Sequence, residues 1–217
     1  MLFDDLIAVL DAEPHSAALN MAIDEILLRT ALRPTLRLYR WERPAISFGY
    51  FGKWSDAFAA GPGRDLVRRW TGGGIVLHGH DLTFSLIVPR THPFSAISPR
   101  ESYRAIHECL ASAIAGATLA FAAQPPTSAA CFQNPVQHDI LIADRKVGGG
   151  AQRRTKSGLL HQGSIQEIEN PAAVSAALLQ AFSKKPETHS LSGETASQAA
   201  NLALEKYAAV EWLRRVP

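Results

Sequence analysis

Two residues of this chain could do covalent chemistry if the fold brought them together: Cys131 and Lys146, fifteen positions apart. Cys131 lies in Thr127-Ser128-Ala129-Ala130-Cys131, entered after Pro125-Pro126 and left through Pro135, and its small neighbours keep a thiol accessible. A nearby ammonium favours the thiolate, which is the reactive form. On spacing alone, a loop cysteine reads as inert. Lys146 leads through Val147 into Gly148-Gly149-Gly150-Ala151. A run of glycines weakens a strand, because it forfeits backbone entropy and packs nothing. It is tolerable where another molecule lies against bare backbone, and a lysine at its lip then places a charge on that molecule. Taken alone, the stretch reads as an exposed hairpin lysine beside a loose turn. A second triplet, Gly72-Gly73-Gly74, follows Arg68-Arg69-Trp70-Thr71 and precedes His78. Arg68 and Arg69 point to opposite faces of a strand, so at most one reaches the turn.

Other chemistries find little support. Neither triplet matches G-x-x-x-x-G-K-[ST] or a G-x-G-x-x-G opening a helix, and G-x-S-x-G is absent. His78 and His80 share a strand face, but no third Cys or His follows at ligand spacing, so no metal is expected. Cys109 falls inside a helical pattern and reads as a small packing residue. With Lys+Arg 22 against Asp+Glu 20, the net charge of +2 gives no bulk attraction to nucleic acid or anionic membrane. No apolar run approaches a membrane span. The first residues, Met1 to Asp5, carry acids where a secretory signal carries bases, so a cytoplasmic protein is expected.

The elements that must position these residues follow from hydrophobic period. Leu6 to Leu10 reads as a strand. Ser16 caps a helix whose Leu19, Ala22, Ile23, Ile26 and Leu27 form the core stripe, with Asp24 and Glu25 on a solvated face. Leu36 to Trp41 alternates as a strand with one wet face, and Pro44 to Gly52 gives a short strand broken at glycines. Gly61-Pro62-Gly63 is a turn. Ser98-Pro99-Arg100-Glu101 is a capping box that opens a helix. Leu119 to Ala123 is a strand, and His138 to Asp144 runs as a strand into a tight turn before Lys146. Asn170-Pro171 caps a helix running to about Ser183, and a last helix covers roughly Thr195 to Arg214. Composition nowhere shifts as at a linker, so residues 1–217 are expected to form one α/β domain without an accessory C-terminal domain.

Two blocks carry a family resemblance: Arg68-Arg69-Trp70-Thr71-Gly72-Gly73-Gly74 through His78 to Asp81-Leu82-Thr83, and Lys146-Val147-Gly148-Gly149-Gly150-Ala151 through His161-Gln162-Gly163-Ser164. With Asn20 to Glu25 and Pro44 to Gly49, they resemble the lipoate-protein ligase and octanoyltransferase family over nearly the whole chain. The resemblance implies a mixed, largely antiparallel sheet flanked by helices (an α+β arrangement). Ala130-Cys131-Phe132 followed by Lys146 resembles the branch of octanoyltransferases with a cysteine nucleophile. That branch implies an octanoyl-acyl carrier protein donor, a lipoyl domain such as glycine-cleavage H protein as acceptor, and no cofactor. Catalytic Cys131 and Lys146 would then work beside substrate-binding Arg68, Arg69, Thr71, Gly72, Gly73, Gly74, His78, Gly148, Gly149, Gly150, Ala151, His161 and Gly163. Arg153, Arg154 and Lys156 would meet acidic carriers or form a solvated loop. Relatives more often show Gly-Ser-Ala where this chain has Gly148-Gly149-Gly150, which leaves the acyl contact there open. Two alternatives stay open within the family: an ATP-dependent ligase, and an amidotransferase between lipoyl domains.

Overall fold

A computed structural model of the protein describes residues 1–122 and 135–215. The first part builds β1 (Leu6–Leu10), α1 (Ala17–Thr30), β2 (Thr35–Tyr39), β3 (Ala45–Phe48), α2 (Trp54–Ala60), β4 (Asp65–Arg68) and β5 (Ile75–His78). Then come β6 (Leu82–Pro89), α3 (Pro99–Ser112), β7 (Thr118–Leu119), β8 (Ile140–Ile142), β9 (Arg145–Thr155) and β10 (Gly158–Ile165). The chain continues through α4 (Pro171–Phe182), β11 (Pro186–His189), α5 (Gly193–Leu202) and α6 (Val210–Leu213).

Among the described residues, eight strands form one sheet in the order β11-β1-β2-β6-β10-β9-β8-β7. Only β1 pairs in parallel, with β11 and with β2; the other pairs are antiparallel. Three more strands, β4-β3-β5, make a small second sheet. The expected mixed, largely antiparallel sheet flanked by helices is what the chain forms.

Both faces of the large sheet are covered. Leu36 and Leu38 of β2 pack with Phe84 of β6, Ile106 and Leu110 of α3 and Phe182 of α4. The opposite face takes Met21 and Ile23 of α1, Tyr39, Ala199 of α5 and Tyr207. Burying a side chain such as Phe84 contributes roughly 1.5–3 kcal/mol, so these two layers supply most of the fold's drive. Local chemistry sets the helix starts. Ser16 Oγ accepts from Leu19 N–H, Ser98 and Glu101 close a reciprocal capping box, and Asn170 caps α4. Cys109 packs inside the α3 layer as expected.

Several elements differ from the sequence reading. Asp24 and Glu25 are buried, not solvated: α5 and the segment after it lie over that side of α1 and supply Lys206 and Tyr207. All five residues of β2 are buried, because α1 covers the face expected to be wet. The glycine run Gly148–Gly150 lies inside β9 and not in a turn; the turn precedes it, at Ala143 and Asp144, both with positive φ (47° and 63°). The single C-terminal helix breaks at a π-turn, Ala203–Tyr207, before α6. The short α2 and the edge strand β11 escaped periodicity, since seven and four residues are too few to show one.

Candidate active site

A narrow cleft lies where the small sheet meets β9 and β10. Backbone of Gly149 and Gly150 and the Ala151 side form one wall, and Ser47, Arg69, Gly73 and His78 form the facing one. Met21, Tyr39 and Trp41 supply apolar floor. Trp41 stacks on His78 with ring centroids 4.0 Å apart and donates from Nε1 to Thr83 Oγ1 at 2.7 Å.

The two arginines divide as their alternation requires. Arg69 curls under the glycine turn, donating from Nη2 to Gly72 O (3.0 Å) and Gly74 O (2.9 Å) and from Nη1 to Ser47 Oγ (2.7 Å). Arg68 faces away from the cleft. Its guanidinium donates to the carbonyls of Tyr50, Gly52, Trp212, Leu213 and Arg215 and binds the C-terminal segment to β4. Gly73 needs its left-handed φ of +88°, and Gly49 must lack a side chain because a Cβ there would fall 2.0 Å from Gly73 O.

A hydrogen-bonded chain holds this turn to the rest of the fold. Thr71 Oγ1 donates to Gln162 Oε1 at 2.8 Å, Gln162 Nε2 donates to Asp24 Oδ2 at 2.7 Å, and Arg37 Nη1 donates to Asp24 Oδ1 at 2.7 Å. Arg37 also binds Asp11 and Asn20 and is fully buried.

His78 is fixed from both sides, by Asp81 Oδ2 at Nδ1 (2.7 Å) and by Ser47 Oγ at Nε2 (2.6 Å). Burial pushes its pKa down against the pull of Asp81, so the ring is neutral near pH 7 with its proton assigned to Nδ1. Burial pushes the Asp81 carboxyl up, but His78 and the hydroxyls of Ser164 and Thr83 more than reverse this, to about 2. His80 sits exposed beyond the end of β5, apart from His78. Among the described residues no group of three or more His, Cys, Asp or Glu could hold a metal ion.

Lys146 is buried, not an exposed hairpin lysine. Its Nζ lies 2.7 Å from Asp139 Oδ2, with both side chains withdrawn from solvent. Asp139 also accepts from Tyr103 Oη and from Val136 N–H. The glycine run makes room for this pair and for its neighbours. A Cβ on Gly149 would fall 2.9 Å from Lys146 Cε, one on Gly150 2.2 Å from His161 Nε2, and one on Gly148 2.9 Å from Ile140 Cδ1. The missing side-chain volume is therefore filled by the protein itself, while the backbone of Gly149 and Gly150 still lines the cleft. His161 stands behind that wall rather than in the cleft, its Nε2 3.3 Å from His107 Nε2 and its Nδ1 3.2 Å from Gln152 Nε2. Gly163 lies on the cleft wall next to Phe84, whose ring would meet an added Cβ at 2.2 Å. Cys131 lies outside the described residues.

The buried histidines make stability depend on pH. Burial lowers the His161 pKa to about 3, and burial with the neighbouring His161 lowers that of His107 well below its usual value. In the unfolded chain a histidine takes its proton near pH 6.5, so as the pH falls the unfolded state gains the proton first. The stability from neutral His161 is complete above about pH 6.5 and is lost as the pH falls toward 3, at roughly 1.4 kcal/mol per unit. Urea unfolding at pH 7 and pH 5 is expected to show this loss, with a shallower dependence for His161→Gln. An equal pH dependence in the two proteins would contradict it.

Comparison with known proteins now bears on this cleft. The lipoyl protein ligase A/B catalytic domain family matches residues 16–211. The chain belongs to that family. Among curated members, octanoyltransferase LipM of Kyrpidia tusciae is 38% identical over 182 residues, which is 75% of this chain and 66% of that protein. Octanoyltransferase LipM of Staphylococcus aureus is 36% identical over 171 residues, 69% of this chain and 62% of that one. The chain thus spans just under two thirds of the length of these family members. Its fold is that of the lipoate-protein ligases: a lipoate-protein ligase A crystallised with ATP superposes with TM-score 0.75 at 22% identity, covering all of both chains. The Thermoplasma acidophilum bipartite lipoate protein ligase gives 0.73 at 20%, covering 100% of this chain and 98% of that one. The family resemblance thus stands, and of the expected site residues Arg69, Gly73, His78, Gly149, Gly150, Ala151 and Gly163 line the cleft. Trp41, Tyr103 and Asp139 lie outside the stretches that carry the resemblance, and Asp24, Ser47, Gln162 and Ser164 fall within them without being assigned to the site. Alternation along β10 could have found two of them, since Gln162 and Ser164 share one strand face.

Proposed function

We propose that the chain is the catalytic domain of a cytoplasmic acyltransferase that moves an octanoyl group from acyl carrier protein to a lysine of a lipoyl domain, such as glycine-cleavage H protein. The observation that carries the reading is the narrow, largely apolar cleft with the buried Lys146–Asp139 pair at the Gly149 wall, in a family whose similar members are named octanoyltransferase. In the first step the Cys131 thiolate attacks the thioester carbonyl, a new C–S bond forms, and the carrier's pantetheine thiolate leaves and takes a proton. In the second step the acceptor amine attacks the acyl-cysteine, a C–N bond forms, the amine loses its proton, and Cys131 returns as thiolate. Two acyl exchanges of this kind need no nucleotide and no metal. Lys146 stabilises the thiolate and polarises the carbonyl oxygen, and Asp139 holds its ammonium in place. Arg69, Thr71 and Gly72–Gly74 shape the wall on which the acyl chain lies, with His78, Gly149–Ala151 and Gly163 completing it.

Octanoyl-acyl carrier protein alone, without nucleotide, is expected to add one octanoyl mass to the enzyme at Cys131. Neutral hydroxylamine should strip it, since thioesters are labile where amides are not. An apo lipoyl domain should then remove it and gain the group on lysine. No adduct, together with ATP-dependent modification of the domain from free octanoate, would replace this reading with a ligase.

A further inference from the structure

We propose that Arg153 is the anion subsite that takes the phosphate of the donor's phosphopantetheine arm. The guanidinium sits between two rings at the base of the glycine turn, 5.0 Å from the Tyr50 centroid and 5.1 Å from that of Trp70. No carboxylate meets it among the described residues, and its Nε is buried without a hydrogen-bond partner. Its neighbour Arg154, by contrast, is tied on the other face of β9 to Ser95 O and Ser102 Oγ, both at 2.7 Å. Lys156 is exposed in the turn after β9.

The surroundings deepen the imbalance of charge. Lys206 stacks on the same Trp70 ring at 4.6 Å, and Arg215 on the same Tyr50 ring at 4.5 Å. The acid that reaches this cluster, Glu25, is already bound by Arg29, Lys206 and Tyr207. Aromatic faces hold a cation in place without using its N–H donors, which leaves a planar fork that suits a phosphate. Neither ring neutralises it.

The position fits the arm of a thioester. Gly149, Ala151 and Arg153 alternate onto one face of β9, where a Cβ on Gly149 would touch Lys146 and the Ala151 methyl faces Gly73. From Gly149 to Arg153 the strand rises about 13 Å. An extended pantetheine could therefore place its thioester near Lys146 while its phosphate reaches Arg153. The donor's identity rests on the transferase reading; the anion site rests on the geometry around Arg153.

The test separates the two. The protein is expected to bind 4′-phosphopantetheine about tenfold more tightly than pantetheine, as a charge-assisted pair to one phosphate allows. Arg153→Gln should erase that preference, and Lys156→Gln should keep it. In transfer assays Arg153→Gln should raise the KM for octanoyl-acyl carrier protein about tenfold with kcat kept. It should leave the KM for octanoyl-pantetheine unchanged, which also shows the variant to be folded. Equal binding of the two ligands by the unaltered protein would overturn the proposal, as would a KM effect confined to the lipoyl-domain acceptor. A phosphate preference that depends on Arg153, with no acylation of Cys131 from any thioester, would uphold the anion subsite and sink the transferase reading.

Discussion

Arg37→Ala is expected to lower the melting temperature by about 10 °C or more. The guanidinium is fully buried and binds Asp11, Asp24 and Asn20 together. Truncating one partner of such a network strands the others, at roughly 3–5 kcal/mol. A domain of this size has on the order of 5–15 kcal/mol in all, and each kcal/mol shifts its midpoint by about 2–4 °C. The exposed pairs of Arg33 with Asp5 and Glu187 have more than half of each carboxylate side chain in solvent, so water screens them and their removal should barely move the midpoint. Arg37→Lys should recover little, because one ammonium cannot bridge three acceptors on different elements. Thermal melts of Arg37→Ala, Arg37→Lys and Arg33→Ala check the ordering. A near-native midpoint for Arg37→Ala would show that Asp11 and Asp24 find other partners.

Lys146→Ala carries the second large effect, on chemistry. On the proposed route it removes the charge beside both the thiolate and the developing oxyanion, so kcat/KM should fall by about 10² to 10³. The alkylation of Cys131 by iodoacetamide should move to higher pH in the same variant. Buried Asp139 loses its counter-ion, so some stability should go too; it keeps the hydroxyl of Tyr103 and the amide of Val136, and a thermal melt beside the assay separates the two effects. Lys146→Arg tests position against charge: the guanidinium is larger, and the space over Gly149 already holds the lysine chain at contact distance. Lost transfer with unchanged alkylation would confine Lys146 to binding the acyl group or its carrier.

The sequence was most readable where local chemistry decides the outcome. Caps at Ser16, Ser98 and Asn170 and the turn before Lys146 all follow from residues within a few positions of each other. The cleft was readable only through two motif blocks, and even there Arg68 and Arg69 could be divided but not assigned. Which of them faces the turn depends on the C-terminal segment, whose carbonyls claim Arg68 from more than 140 positions away. Burial of Asp24 and Glu25 was unreadable for the same reason. A helix shows which residues share a face, but not whether a distant element will arrive with the cations and amides to satisfy the polar one. The glycine run misled in its own way. It was read as space for a ligand, and much of that space belongs to Lys146 and His161.

Arg68 also sets an order of events during synthesis. Its guanidinium is buried and its acceptors lie on Tyr50, Gly52, Trp212, Leu213 and Arg215, so the loop after β3 and the end of α6 share one cation. While residues 212–215 are still inside the ribosome, that cation lacks most of its acceptors, and a buried charge without them is too costly to keep. The nascent chain can therefore build its sheets early, but the wall beside the glycine turn closes only after the carbonyls of Trp212, Leu213 and Arg215 emerge. Competence for binding therefore waits on residues made more than 140 positions after the arginine they complete.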